Sequence, residues 1–508
     1  MNNSKKILKN TISLYIRLFV NLILTFYTTR LVLQSLGASD FGINNLISSV
    51  ITFCSFFVNT ISLSVQRYFS IEIGKSDIRK VEIYYNASVR IALIVGLFFI
   101  ILGEILSFLL FDHFLNIPPD RIFAAKVIYQ TVLLSFFFNI IRIPFIALIN
   151  AFEDINIVAV IGIIESIGKL LIAIIIVYSI YDRLIFYSTL LLVLTISISL
   201  IFLIYTRKKY IQIKLTKQFI SKEIYTDLGK FAGFSAIMNL SVVGKEQGVV
   251  LLLNLFGGTL INAAYGISSM VQGQIRSITS MMFNAVVPRI TSDFGSGRVG
   301  ESNKLMFMSS KFAFFAFSII CVPIFLFLPL LLKLWLKSYP DYTVEFCRIQ
   351  LIVIGIDTLI YPLNISISAH GKIKGISISM FFLNIITLIL SFVFLKIGFN
   401  FVSVLYFSII NIVILGIIRL YYSQKLIFLN AKIWVKEVFL KSIIPLMITI
   451  VFILCISFIL PNSVFWQSIM LVTCFIVGIL SVWFFGLNRN EKSMFVHLIL
   501  NKLKRSKN

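Results

Sequence analysis

Fourteen apolar runs, each about twenty to thirty residues long, fill nearly all of this 508-residue chain and leave only short polar connections between them. A helix rises 1.5 Å per residue, so about twenty apolar residues cross a hydrocarbon core of roughly 30 Å. The runs fall at 7–33, 42–70, 86–111, 120–149, 155–179, 184–205, 224–253, 260–290, 304–332, 343–369, 373–395, 401–422, 438–460 and 464–486. Hydrophobic residues make up 59% and charged residues 13%, with a mean hydropathy of +0.98. A water-soluble domain of this length is excluded, and so is a β-barrel, because the short alternating segments of membrane strands are missing. The fold class expected is all-α and polytopic. The first run follows Lys5, Lys6 and Lys9 as a signal peptide would. Asn10, Arg17 and Asn21 interrupt it, and it continues past twenty residues, so a retained first helix is expected.

Basic residues in the connections set the orientation. Twenty-five of them, from Lys5 through Lys75, Arg207, Arg298, Lys372 and Lys425 to Lys507, fall on one side; only Arg121, Arg183, Lys333, Lys337 and Lys396 fall on the other. Both termini are therefore expected on the cytoplasmic side. This bias accounts for much of the net charge of +24 without a nucleic-acid partner. Residues 206–222 carry six basic residues and no acid, mixed with Ile211, Ile213, Leu215, Phe219 and Ile220. That composition reads as an interfacial linker between halves. The organisation expected is a six-helix bundle (1–205), the basic cytoplasmic linker (206–222), a second six-helix bundle (223–422), two additional helices (423–487) and a basic tail (488–508). The halves share a faint repeat. Ile47-Ser48-Ser49, Arg67 and Gly74 in the second run match Ile267-Ser268-Ser269, Arg289 and Gly295 in the eighth at an offset of about 220.

Some fifteen Lys and Arg residues lie inside the runs, against far fewer acids, notably Glu104, Glu165, Glu246 and Asp357. A basic side chain near the bilayer centre costs roughly 2.5–3.5 kcal/mol, so it needs a partner, water or an anionic ligand. At 100° per residue the polar side chains also form stripes, among them Asn21 with Arg17 in the first run, Asn59 in the second, Asn239 and Glu246 in the seventh, and Tyr265, Gln272 and Arg276 in the eighth. Ser, Thr and Asn stripes often join helices by hydrogen bonds. Striped first, second, seventh and eighth runs, opening the two halves, point instead to a hydrated cationic lumen. Its expected lining is Arg17, Asn21, Asn59, Arg67, Arg142, Asn239, Lys245, Tyr265, Gln272 and Arg276. Arg17 and Arg276 are the leading contacts for an anion. Glu246 and Asp357 are candidates for ion coupling, with a purely structural role for Asp357 equally open. Arg30, Arg90, Arg289 and Arg419 lie near run ends and read as snorkelling to headgroups. Glu165 and Lys169, four apart, read as an ion pair.

The five cysteines are scattered and the three histidines lie at connections or the tail, so neither a metal site nor a cofactor is expected. No phosphate-loop motif occurs, which removes ATP as a direct energy source. Arg with amides, hydroxyls and Tyr suits a ligand that combines phosphate and sugar.

Thr29-Arg30-Leu31, Leu36-Gly37, Asp40-Phe41-Gly42, Gln66-Arg67-Tyr68 and Glu72-Ile73-Gly74-Lys75 resemble the opening signature of bacterial polysaccharide and O-antigen flippases (Wzx-like) of the multidrug/oligosaccharidyl-lipid/polysaccharide exporter superfamily. Gln247-Gly248, Leu253 to Gly257 and Asn262 to Ile267 resemble its mid-chain signature. The resemblance implies two pseudo-symmetric bundles around a central cationic cavity, as in drug exporters and lipid II flippases of that superfamily. It implies a bacterial cytoplasmic-membrane carrier, not an enzyme, that moves undecaprenyl-pyrophosphate-linked oligosaccharide to the periplasmic leaflet by alternating access. The implied partners are that glycolipid, the bilayer, H+ or Na+, and a polysaccharide polymerase with chain-length machinery. A lipid II-type peptidoglycan-precursor flippase and a cation-coupled drug exporter remain alternatives within the superfamily. A membrane polymerase or glycosyltransferase would need catalytic groups on an extracytoplasmic loop, and the longest such loop, around 333–342, offers only Asp341.

Overall fold

A computed structural model describes residues 2–152, 154–216, 222–370, 374–459, 461, 463–489 and 491–493, and every element in them is helical. The helices are α1 (Asn2–Thr52), α2 (Ser55–Gly74), α3 (Ile78–Leu109), α4 (Ile122–Ile141), α5 (Ile143–Ala151), α6 (Ile155–Val177), α7 (Arg183–Lys209), α8 (Lys222–Gly295), α9 (Val299–Leu326), α10 (Leu328–Leu336), α11 (Thr343–His370), α12 (Lys374–Ile397), α13 (Val402–Ile427), α14 (Ala431–Trp434), α15 (Lys441–Ile459) and α16 (Val464–Ser481). Helix is the form in which a lone segment bonds all its own peptide groups, which hydrocarbon demands. Among the described residues, eleven segments are long and apolar enough to cross a membrane. The chain is a multi-pass membrane protein.

The breaks have local causes. α1 and α8 each contain two helices joined through one glycine, Gly37 (φ 78°, ψ 169°) and Gly258 (φ 70°, ψ −166°). That region of backbone space is essentially closed to other residues. The fourth apolar run divides into α4 and α5 at Arg142, two residues before Pro144, whose ring cannot donate a helical bond. The second run divides at a turn over Phe53 and Cys54, between α1 and α2. α3 shows the orientation of apolar surface. Ile94, Phe98, Ile101, Ile105 and Phe108 are exposed along one side, as lipid contact requires. Gly96 and Gly103, on the covered side, lie so close to Phe137 and Leu133 of α4 that a Cβ at either would overlap them. Small residues at such crossings let helices approach.

The chain forms two compact units. The first comprises Met1–Gly266, Tyr339–Asp341 and Asn384–Phe401. Phe69, Tyr85, Leu148, Ile198 and Phe202 share one of its cores, and Ile213 of the basic linker is buried in the same cluster. The linker is held there by backbone reading. The Asn86 amide donates to the Lys214 carbonyl at 2.8 Å and accepts from the Thr216 N–H at 2.8 Å, and Arg90 donates to the Thr216 carbonyl. Residues 210–216 thus dock on α3, and Arg90 reaches the linker, whereas its place near a run end suggested snorkelling. Residues 217–221 of the linker and 494–508 of the tail lie outside the described residues.

The first unit also contains a tight crossing between the stretch after Gly37 and the stretch after Gly258. A Cβ on Gly42 would fall on the carbonyl of Thr259, and Gly266 packs against the Asn45 side chain. Ser39 and Thr259 share a hydroxyl hydrogen bond of 3.1 Å, and the Asn45 amide donates to the Asn262 carbonyl at 3.2 Å. Nearby, Asn254 brackets the backbone of Asn116, accepting from its N–H at 2.8 Å and donating to its carbonyl at 3.1 Å.

The second unit comprises Ile267–Ser338, Tyr342–Leu383 and Val402–Asn508. In it α11 packs between α9 and α13, and α15 and α16 dock on α9 through Val322, Ile453, Met470 and Cys474. Lys311 of α9, only 4% exposed at its side chain, pairs with Glu491 after the last span at 2.6 Å. At the end of the eighth run, Arg289 bonds Asp293 at 2.9 Å, a local partner in place of the headgroup contact expected of it. That bond holds the Asp293 carboxyl below the ordinary carboxylate range.

The crossing at Gly42 yields a test. In a Ser39→Cys, Thr259→Cys variant, mild oxidation is expected to form a disulfide in most molecules, read as a gel-mobility shift. Adding Gly42→Leu overpacks the crossing, at about 1–3 kcal/mol or more, and is expected to remove most of the cross-link. Equal yields with and without the leucine would contradict the close approach.

Candidate functional site in the first unit

The clearest functional geometry centres on α6. Ile164, Ile167, Leu171, Ile174 and Ile175 are exposed along one side of it. At 100° per residue, Lys169 points about 180° from the middle of that stripe, with Glu165 and Ser166 within roughly 60° of it. The Lys169 side chain is nonetheless 48% exposed, fifteen residues into a 23-residue helix. A cation in that phase points away from the exposed isoleucine stripe and is reachable by water or a ligand.

Three helices supply its neighbours. Glu165 accepts from Lys169 at 2.8 Å, the pairing that the four-residue spacing predicts, and also lies 3.5 Å from Arg142. Arg142 occupies the break between α4 and α5 that Pro144 imposes, so its side chain is launched from a kink. One residue along α6, the Ser166 hydroxyl donates to the Asn21 side-chain oxygen of α1 at 2.8 Å. Asn21 and Arg142, both expected in the lumen, are thereby brought to adjacent residues of one helix. Among the described residues the set holds two cations and one carboxylate. A second anion would complete the coordination of two donors that now share one acceptor.

The other expected lumen residues divide by unit. Within the first unit, Lys245 and Glu246 are half-buried on α8 and Tyr265 is buried. In the second unit, Gln272 is half-buried and Arg276 is exposed. The side chains of Arg17, Asn59, Arg67 and Asn239 lie outside the described residues. Asp357 is committed: Arg419 bonds it at 2.9 Å. Arg419 itself is 4% exposed, with its guanidinium 5.9 Å from the Tyr361 ring and its Nε unbonded. The snorkelling expected of Arg419 is thus overturned, because its face of α13 is covered by α11. Lys169 is the functional candidate that sequence reasoning set aside as a mere pair with Glu165. Its phase opposite the isoleucine stripe was the signal available.

No family model matches the sequence, and no curated protein sequence matches it. Solved structures do match in fold. "Lipid II flippase MurJ, inward closed conformation" superposes with a TM-score of 0.71 at 13% identity, covering 93% of this chain and 98% of that one. An inward-facing multidrug resistance MATE family transporter of the MOP superfamily gives 0.66 at 15% identity, covering 81% and 98%. The fold is that of the MOP transporters. A third member, from Pyrococcus furiosus, described as having a reversed polarity of its binding pocket, gives 0.61 at 16% identity over 83% and 97%. These MOP-fold neighbours are transporters and flippases, and MATE and MurJ proteins span the membrane many times, as this chain does.

The Asp357–Arg419 pair gives a thermodynamic test. Breaking a buried pair from one side costs about 3–5 kcal/mol, whereas an apolar pair of similar volume is often neutral. Thermal unfolding in detergent should therefore drop sharply for Asp357→Leu alone and recover in Asp357→Leu, Arg419→Met. Retained transport by the double variant would assign the pair to structure, and loss of transport in a stable double variant would restore Asp357 as an ion-coupling residue.

Proposed function

We propose that this protein is a flippase that moves a polyprenyl-pyrophosphate-linked oligosaccharide from the cytoplasmic to the periplasmic leaflet of a bacterial cytoplasmic membrane, by alternating access. The observation that carries the reading is the interior-facing cation excess at Arg142 and Lys169 around Glu165, mid-span in a carrier fold. A cationic drug would be repelled there; a pyrophosphate would be attracted. Arg142 and Lys169 supply forked and point-charge donors to phosphate, and Asn21 and Ser166 beside them offer amide and hydroxyl partners for sugar. Arg276, exposed in the second unit, is a further anion contact, with Gln272 on the same stripe. Tyr265 and Lys245 keep the lining role read from the sequence, as do Arg17, Asn59, Arg67 and Asn239.

Glu246 is the candidate for H+ or Na+ coupling, since Asp357 is held by Arg419. The basic connections support both termini on the cytoplasmic side; a polymerase and chain-length machinery would act on the released glycolipid at the opposite, periplasmic leaflet.

A lipid II-type precursor is the second reading. It is favoured by the 93% of this chain that superposes on the lipid II flippase, against 81% on the drug transporter. The two readings part on the sugar, not on the pyrophosphate.

A charge-assisted hydrogen bond to phosphate is worth about 1.5–3 kcal/mol, roughly ten- to a hundredfold in affinity. Arg142→Ala, Lys169→Ala and Arg276→Ala are each expected to slow flipping of a fluorescent polyprenyl-pyrophosphate glycan in proteoliposomes by about that factor. Wild-type rates in all three would remove the anion site. Faster flipping of a muramyl-peptide lipid than of an oligosaccharide lipid would select the second reading.

A further inference from the structure

The basic linker and the end of α7 form a second feature, outside the Arg142–Lys169 cluster. Val193, Ser197, Leu200, Ile201 and Ile204 are exposed along one stripe of α7. Stepping 100° per residue, Lys208 continues that stripe one turn on. A groove of about 380 Å3 lies on this face, lined by Ile201, Ile204, Tyr205, Lys208 and Lys209. It is a shallow depression open along the apolar face, a shape suited to a chain lying on the helix surface rather than to an enclosed ligand. Its floor is apolar and its charge is confined to the end where the basic connections gather.

The two lysines differ. Lys209 is ordered by its surroundings: it pairs with Asp154 at 2.8 Å and lies 5.5 Å from the Tyr205 ring. Asp154 in turn accepts from the Tyr210 hydroxyl, and Tyr210 stacks on Phe152 at 4.6 Å. Lys208 makes no ion pair among the described residues and is exposed. Beyond it the docked linker continues the same chemistry, with Ile211 and Leu215 exposed beside Lys214.

We propose that this groove binds one anionic glycerophospholipid of the cytoplasmic leaflet, with an acyl chain along Ile201 and Ile204 and the headgroup phosphate on Lys208. Charge complementarity selects the occupant. An apolar stripe at hydrocarbon depth that ends in an uncommitted lysine fits a lipid, and the local positive charge fits an anionic one. The adjoining segment 210–216 is held on α3 through Asn86, so lipid at this face would lie beside an ordered part of the chain. The site stands apart from Arg142 and Lys169, so it holds whichever substrate the carrier moves.

The test uses the full-length protein in detergent, titrated with phosphatidylglycerol or phosphatidylcholine of equal acyl length and read by native mass spectrometry. Wild type is expected to retain phosphatidylglycerol preferentially. Lys208→Ala should weaken that retention about fivefold, and Lys208→Glu more, following the worth of one basic residue near anionic lipid. Ile204→Asn, which leaves charge unchanged, should weaken both lipids. Lys432→Ala, an exposed lysine elsewhere, should change nothing. Equal retention of the two lipids, no effect of Lys208→Glu, or an equal loss in Lys432→Ala would each overturn the site. Displacement of phosphatidylglycerol by an equimolar polyprenyl phosphate would also overturn it, by marking the groove as a substrate entry.

Discussion

Hydrocarbon offers no hydrogen bonds, and that deficit governs the backbone and the buried charges described in this chain. Peptide groups are satisfied inside helices, and side-chain charges are satisfied by one another. Asp357 with Arg419 joins α11 to α13; Lys311 with Glu491 joins α9 to the segment after α16; Glu165 joins α6 to the kink before α5. Such pairs add little net stability over a well-packed apolar substitute, because desolvation offsets much of the attraction. Their effect lies in choosing partners: a helix carrying an unpaired charge cannot settle against the wrong neighbour. Arg419 marks the limit of this economy. Its Nε stays unbonded, and the Tyr361 face 5.9 Å away supplies a weaker attraction of about 0.5–1 kcal/mol or somewhat more.

Seen this way, the cluster on α6 is distinct from the other two pairs. Arg419 and Lys311 are each 4% exposed at their side chains, whereas Lys169 is 48% exposed. A pair that served only to hold helices together would gain from exclusion of water, as those two do. Glu165 instead divides its oxygens between a close lysine and a more distant arginine, at 2.8 and 3.5 Å, in a place that water or a ligand can reach. An acceptor shared unequally between two cations is easily exchanged for another anion.

The positions of the spans were legible because twenty apolar residues in succession have no other stable placement, and Pro144 announced the α4–α5 break. The turn at Phe53 and Cys54 was not legible, since neither residue is a turn former and the apolar run passes through it unbroken. Arg419 was misread for a different reason. Its partner lies 62 residues away on another helix, and distance from a run end says nothing about which helix covers that face. Lys169 was read correctly as a partner of Glu165, yet its outward isoleucine neighbours held the further information that it faces inward. Local spacing identified the bond; only helical phase identified the environment.

Two stretches that the sequence reading compared meet at the crossing. Gly37 and Gly258 adopt the same rare backbone geometry, φ 78° with ψ 169° and φ 70° with ψ −166°. The hydroxyls that meet there, Ser39 and Thr259, are 220 residues apart, the same separation as the two Ile-Ser-Ser triplets. Gly42 yields space to the Thr259 carbonyl, while the residue 220 positions on is Asn262, fully buried with both atoms of its amide unbonded. Each such orphan costs about 1–3 kcal/mol. Ala263, Ala264 and Gly266 follow directly, and their small size permits the approach whose packing offsets that cost. An amide left unsatisfied beside such small residues gives the contact a built-in opposing force alongside its packing gain.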